Sequence, residues 1–376
     1  MNYNTRKVHM GRHTSDKSIH GSKRAISSIL VTGILVFSIS GCAGISGAGT
    51  AARSGVPVSR TGLFFDTVVT VTLYDYEGSS DTIFDDCFKM CEHYESLYSP
   101  TIEGSDIWRI NHGEGKAVRV DTETAGLVQT AAKYSAMSDG VLDLTVGGLC
   151  DLWDINGQSQ TDTPHIPSDD EISKALTHID HTKVMIDAED ATDDTGSTGA
   201  SVTLSDPDAA ITLGFIAKGY TADRLEEMLR SAGVKSALID LGGNIVTIGQ
   251  RPDGGAFRIG IQKPFADKGE AITRIAVPDG MSVVSSGTYE RYFRSDGHIY
   301  HHILDTKTGY PADNNVYGVT VVSNSSAEAD ALSTLCLLLG VREGLDLIED
   351  TPGVEAMFIS SDYTLTCSSG WNDLTP

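Results

Sequence analysis

The sequence predicts a single α/β body, α+β-like in character, with a mixed or antiparallel sheet packed against helices. Three observations predict it. β-branched, alternating runs recur along the chain through short turns, as strands following one another in one sheet do. Capped helical stretches lie among them. No clear linker interrupts residues 60–376, so the length is spent on one large body rather than two independent ones. Apolar residues make up 40% and charged residues 21%, which excludes a collagen-like or coiled-coil chain and disorder over most of the length.

The N-terminus stands apart. Residues 1–41 hold six basic side chains (Arg6, Lys7, Arg12, Lys17, Lys23, Arg24) and one acid, Asp16. An apolar run of about 15 residues, Ala25–Ile39, follows and is too short to span a bilayer as a mature helix. Ile39-Ser40-Gly41-Cys42 closes it. A basic region, an apolar region and small residues at the cut describe a secretory signal peptide, and a Cys after Ile-Ser-Gly has the form of a bacterial lipobox. The expectation is a signal peptide over 1–41, lipidation at Cys42, and a Gly/Ala/Ser-rich tether over 42–59. The remainder carries 22 Lys and Arg against 50 Asp and Glu, a net charge of −28. Such a body is repelled by nucleic acid and by anionic head groups, and an anionic substrate needs a local cation or a metal.

The elements follow in order. Phe64–Tyr74 alternates and reads as a strand. Ser80 opens a helix to about Leu97, and Asp121 another to about Ser138. Cys87 and Cys91 share one face of the first helix and read as small buried apolar residues. Ser168 with Glu171 makes a capping box. The acidic, Thr/Gly-rich stretch from Asp187 to Ala200 reads as a hairpin tip. Beyond it come a helix over Ala222–Ala232 and strands over Ala237–Ile248, Phe257–Gln262, Met281–Ser285 and Val316–Ser323. Ser325 with Glu328 caps a last helix to Leu339.

Four segments carry chemistry. In Ser138-Asp-Gly-Val-Leu-Asp143, Gly140 can end a helix, leaving Asp143 among apolar neighbours where an unpaired carboxylate is costly. In Ile211–Tyr220 an apolar strand passes through glycines into a helix start, with Lys218 as its cation. In His301–Pro311, His302 near Asp305 is a candidate general base, while His301 faces the other way in an extended segment. In Ser325–Thr334, Asp330 and Thr334 are four apart on one helix face. Their hard oxygens suit Mg²⁺ or Ca²⁺ and not Zn²⁺.

Together with Phe65-Asp-Thr-Val-Val, Leu241-Gly-Gly-Asn-Ile245 and Ser285-Ser-Gly-Thr-Tyr-Glu-Arg-Tyr-Phe293, these segments resemble the ApbE family in order, over about residues 60–360. The resemblance implies an exported enzyme that binds FAD and Mg²⁺, with Ca²⁺ or Mn²⁺ as alternatives. Such an enzyme transfers the FMN half to a Thr or Ser hydroxyl of a membrane-associated acceptor flavoprotein and releases AMP. It further implies Asp330, Thr334 and the backbone oxygen of Phe215 as metal ligands and His302 as the base. The flavin contacts it implies are Phe65, Thr101, Val141, Leu142, Asp143, Lys218 and Leu304. The chain departs from the family's usual residues at Phe215, Phe65 and Leu142, and the loop Ser99–Ser105 matches poorly. Two rival readings are a Mg²⁺-dependent FAD pyrophosphatase and a flavin-binding lipoprotein without turnover. The expected location is the outer face of the bacterial cytoplasmic membrane.

Overall fold

Strand β1 (Val58–Phe64) reverses at once into β2 (Thr67–Asp75) in the computed structural model, which describes residues 56–187 and 199–374. The signal peptide and Cys42 lie outside the described residues. Phe65 and Asp66 form the turn with φ of 53° and 55°, the left-handed pair whose twist suits a two-residue hairpin. Two sequence expectations are corrected here. Val58 and Ser59 belong to a strand rather than a tether, and the run from Phe64 contains a turn. Phe-Asp carries neither the Gly nor the Asn that usually marks such a turn.

Helix α1 (Ser80–Tyr98) is capped by Ser79 and buries Phe84, Cys87, Cys91 and Tyr94. Cys87 and Cys91 are free thiols in the core, and burial pushes both up to about 12. Next come α2 (Asp106–Asn111), β3 (Ala117–Val120) and α3 (Thr122–Met137), the last capped by Asp121 as the sequence predicts. Gly140, at φ 75°, donates its N–H to Ser135 and closes the end of α3. Short helices α4 (Gly147–Trp153), α5 (Ile155–Gln158) and α6 (Asp169–Leu176) follow, and Ser168 and Glu171 form the full capping box on α6. Strands β4 (Val184–Asp187) and β5 (Ala200–Leu204) pair antiparallel, and β3 joins them. The acidic tip between them falls at 188–198, outside the described residues.

Helix α7 (Ala217–Ser231) begins five residues before the expected Ala222. The expected single strand over Ala237–Ile248 is a hairpin, β6 (Ser236–Leu241) and β7 (Asn244–Ile248). Gly242 and Gly243 turn it with φ of 59° and 101°. A Cβ on Gly242 would stand 2.1 Å from Thr67 Oγ1, so the turn needs glycine for space as well as conformation. Then come β8 (Phe257–Gln262), β9 (Ala271–Val277), β10 (Ser282–Gly287), β11 (Tyr292–Ser295), β12 (His298–His301) and β13 (Val316–Ser323). Helix α8 (Ser326–Glu349) breaks at Gly340, φ 80°, one residue past the expected end at Leu339. Strands β14 (Glu355–Ser360) and β15 (Leu365–Cys367) finish the order.

Eight strands form the main sheet in the order β1-β2-β6-β7-β10-β13-β14-β15. Every pairing in it is antiparallel, so the expected mixed sheet resolves to an antiparallel one. Side-chain alternation gives it two apolar faces. Val69, Val71, Ile239 and Val246 meet Phe84 of α1 and Leu225 of α7 on one side, and Val284, Val319 and Val321 meet α8 there. On the other side Val283 and Val322 meet Phe257 and Ile259 of β8. Among the described residues, no helix is long and apolar enough to cross a membrane.

Candidate active site

The site is built where α7 crosses α8. Gly219, in the first turn of α7, lies so close to the start of α8 that a Cβ would stand 2.3 Å from the Ser326 carbonyl oxygen. Asp223, one turn further along α7, accepts from the N–H groups of Ser326 (2.6 Å) and Ala327 (3.1 Å) and from Ser325 Oγ (3.0 Å). It thereby satisfies orphan donors at the N-terminus of α8. Ser325 accepts from the Glu328 N–H at 3.2 Å, but the Glu328 carboxylate takes the Ser323 hydroxyl. The expected cap is therefore one-sided, and Asp223 is the residue sequence reading missed.

This crossing sets Asp330 against Lys218. The ammonium stands 3.1 and 3.3 Å from the two carboxylate oxygens, and the Gly219 N–H donates to Oδ2 at 2.9 Å. Asp330 is only 2% exposed. The diverted Gly219 N–H has a consequence for Phe215. Ala217 donates to Leu213 and Tyr220 to Ile216 in the ordinary helical manner, but Gly219 does not close the corresponding bond to the Phe215 carbonyl. Thr334 sits one turn beyond Asp330. Its hydroxyl is 3.4 Å from the Asp330 carbonyl and 3.1 Å from Ser286 Oγ, which also meets Ser333 at 2.7 Å. The Asp330 carboxylate and the Thr334 hydroxyl share one face of α8, and with the Phe215 carbonyl outside the helix ladder they are hard oxygens of the kind Mg²⁺ takes. His178, Asp206 and Asp208 form a separate group, in which Asp206 is already paired with His178 and Lys183.

The two adjacent histidines diverge as their alternation predicts. His301 is buried, donates from Nε2 to the Ala312 carbonyl (3.0 Å) and accepts from the Ile303 N–H at Nδ1 (3.3 Å). It is a structural residue. His302 turns the other way, and the Arg291 carbonyl receives both its N–H (3.2 Å) and its Nδ1 (3.3 Å). That contact assigns the proton to Nδ1 and leaves the Nε2 lone pair open. Burial above all, then the nearby charges of Arg291 and His301, lowers the imidazole to about 3. Asp305 is not its partner. The carboxylate accepts from the N–H groups of Lys307 and Thr308 (2.7 and 3.0 Å) and builds the Thr-Gly-Tyr-Pro turn instead.

The residues expected around flavin do not form one lining. Thr306 Oγ1 donates to the Gly140 carbonyl at 2.6 Å and ties the His302 segment to the 138–143 loop. At that seam Val141, Thr306 and Lys307 line a cleft of about 130 Å³ with Leu338 and Leu339. Leu142 and Leu304 are core residues in separate clusters. The Asp143 side chain is committed within the protein. Thr145 donates to Oδ1 from N (2.9 Å) and Oγ1 (2.7 Å), and His181 donates to Oδ2 from N (3.1 Å) and Nδ1 (2.9 Å). Phe65 is half-buried and its N–H donates to Glu95 at 2.6 Å. Thr101 is exposed and, among the described residues, hydrogen-bonds to Ser99 alone. Ser286 and Arg291 lie in a segment the sequence had singled out without giving either a role.

The ApbE family pattern matches residues 65–358. The chain belongs to the ApbE family. Within that family, an FAD:protein FMN transferase of Klebsiella pneumoniae is 34% identical over 312 residues, covering 83% of this chain and 92% of its own. One from Treponema pallidum is 32% identical over 328 residues, covering 83% and 87%. The crystal structure of the ApbE protein of Thermotoga maritima superposes with a TM-score of 0.75 at 29% identity, covering 85% of this chain and all of its own. The flavin transferase ApbE of Vibrio cholerae gives 0.73 at 26%, covering 85% and 99%. The span matched to ApbE includes every site residue discussed above and excludes Cys42.

Proposed function

We propose that this ApbE chain, an FAD:protein FMN transferase, moves the FMN half of FAD onto a Thr or Ser hydroxyl of an acceptor protein with Mg²⁺ as its metal. The carrying observation is the Lys218–Asp330–Gly219 junction, which buries a carboxylate against one lysine ammonium on the helix face that also carries Thr334. Asp330, Thr334 and the Phe215 carbonyl would hold the metal, which when bound would offset charge on the non-bridging oxygens of the pyrophosphate. Lys218 supplies a second positive group for that anion in a strongly acidic body. The acceptor hydroxyl oxygen attacks the FMN phosphorus, its proton passes to His302 Nε2, and the bond to the AMP phosphate breaks. AMP leaves as a monoester. Burial keeps the imidazole neutral and its Nε2 unprotonated, and the same burial lowers its basicity in the ligand-free protein.

Incubation with FAD, Mg²⁺ and an acceptor, followed by AMP and protein-bound flavin fluorescence, tests the reading. AMP without labelled acceptor makes the protein a pyrophosphatase, and no AMP makes it a binder. The Ile39-Ser40-Gly41-Cys42 pattern supports a further proposal: Cys42 is lipidated and holds the enzyme on the outer face of the cytoplasmic membrane, beside a membrane-associated acceptor. Two or more acyl chains anchor stably. Unchanged membrane fractionation of Cys42→Ala protein counts against this.

A further inference from the structure

The β8–β9 loop carries Phe265 in a left-handed conformation, φ 57°. Its ring packs edge-on against Tyr292 (5.4 Å) and Tyr317 (5.0 Å), and Tyr317 meets Tyr363 at 5.8 Å. The Arg294 guanidinium stacks over Phe265 and Tyr292 at 5.7 and 5.6 Å. This group is not core. Arg294 is exposed, Tyr363 is 40% exposed, and the other three rings are half-buried.

The charge here differs from that of the rest of the molecule. Elsewhere on the surface Arg60, Lys235 and Arg251 are each paired with a carboxylate, and in the β8–β9 loop Lys263 is paired with Glu270. Among the described residues no carboxylate lies within ion-pair distance of Arg294. Residues 257–307 hold seven Lys and Arg against six Asp and Glu, whereas the whole chain after residue 41 has a net charge of −28. An acidic partner meets least repulsion at this stretch.

The surface adjoins the catalytic centre along the β11–β12 hairpin. Tyr292 pairs with His301 and Arg294 with Ile299, so both side chains share the face of His301 and flank, at the hairpin's other face, the strand end that carries His302. The Arg291 carbonyl, one residue before Tyr292, holds His302. A protein-borne hydroxyl reaches that imidazole only if its own chain covers the adjoining surface. Partly exposed aromatic rings and a stacked Arg are the groups that carry binding energy at protein interfaces. A guanidinium already held over two rings loses little freedom on pairing.

We propose that Phe265, Tyr292, Arg294, Tyr317 and Tyr363 form the docking surface for the acceptor protein, and that the acceptor places a carboxylate on Arg294 beside its target hydroxyl. This rests on the transferase reading above. Two synthetic peptides test it, each with one Thr, flanked by Asp in one and by Lys in the other. They are offered to the full chain with FAD and Mg²⁺, and flavin-labelled peptide is measured by mass spectrometry. The native enzyme favours the acidic peptide by about tenfold in kcat/KM, as one close charge pair can supply. Arg294→Glu abolishes or reverses that preference and leaves FAD affinity unchanged by fluorescence titration. Equal losses on both peptides overturn the proposal. So does a loss of FAD affinity, which assigns the rings to the adenine instead. If the native enzyme releases no AMP, the transferase reading fails separately. Peptide binding by fluorescence anisotropy then still decides the surface: tighter binding of the acidic peptide to native protein than to Arg294→Glu upholds it, and equal binding overturns it.

Discussion

The α7–α8 junction and the 138–145 loop each bury a carboxylate, and they treat it in opposite ways. Asp143 is 3% exposed and Asp330 2%, so burial does not separate them. Their partners do. Asp143 is held by two backbone N–H groups and two short side chains, all fixed by Thr145 and His181. Asp330 is held by one backbone N–H and by the ammonium at the end of a flexible lysine stem. The first arrangement is a closed brace. In the second, one partner can leave without breaking the backbone, and a divalent cation can take its place.

The largest expected effect breaks the junction. Asp330→Ala removes the only charged ligand proposed for the metal, and Mg²⁺-dependent turnover falls by at least about 10⁴-fold, the several kcal/mol that metal stabilisation supplies. A variant with unchanged rate and unchanged Mg²⁺ dependence removes Asp330 from the site.

His302 gives the next effect. His302→Ala slows single-turnover transfer by about 10²–10³-fold while FAD binds as before, and His301→Ala loses stability instead. The pH sign is definite. Burial depresses His302 from its ordinary 6.5 to about 3, so it is neutral across pH 6–8 and contributes no inflection to the ligand-free enzyme there. Its neutral form stabilises the fold above about pH 6.5, and this contribution is lost as pH falls toward 3, because the unfolded chain takes up the proton first. A rate rising with an ordinary imidazole pKa contradicts this environment.

Asp143 calls for a different measurement. Asp143→Ala leaves buried donors of Thr145 and His181 unpaired, at a cost of about 1–3 kcal/mol, read as a lower denaturation midpoint. If the variant instead keeps its stability and loses only FAD affinity, the carboxylate is a ligand and not a brace.

These contrasts were only partly legible in the sequence. The caps Asp121 and Ser168 were readable because they act on residues two or three positions away, whereas the cap of α1 is Ser79 rather than the expected Ser80. Asp330 and Thr334 were readable together because helical spacing puts them on one face. The hairpin at Phe65-Asp66 was hidden, since neither residue favours its φ. Lys218 and Asp330 are 112 residues apart, and Asp143 and His181 are 38 apart. No local pattern announces either pairing. The sequence therefore showed Asp143 among apolar neighbours and Asp330 on a helix face with Thr334, without the partners that set the two apart. It also paired His302 with Asp305 by proximity, whereas three-residue spacing let the backbone of the turn claim that carboxylate.

The smallest expected effect sharpens the comparison most. If Lys218 is the occupant that a metal displaces, Lys218→Met leaves Asp330 buried with one partner fewer. Mg²⁺ then binds without first breaking an ion pair. Calorimetry in the absence of FAD should show a severalfold tighter Mg²⁺ affinity in the variant, since a buried pair of this kind returns only part of its desolvation cost. FAD should bind more weakly, because the pyrophosphate loses a cation. The native enzyme should show the converse coupling: FAD draws the ammonium away from Asp330, so each ligand tightens the other by the same factor. Weaker Mg²⁺ binding in Lys218→Met, with no coupling to FAD in the native enzyme, makes the lysine a fixed brace like the partners of Asp143. The two carboxylates then differ in position only.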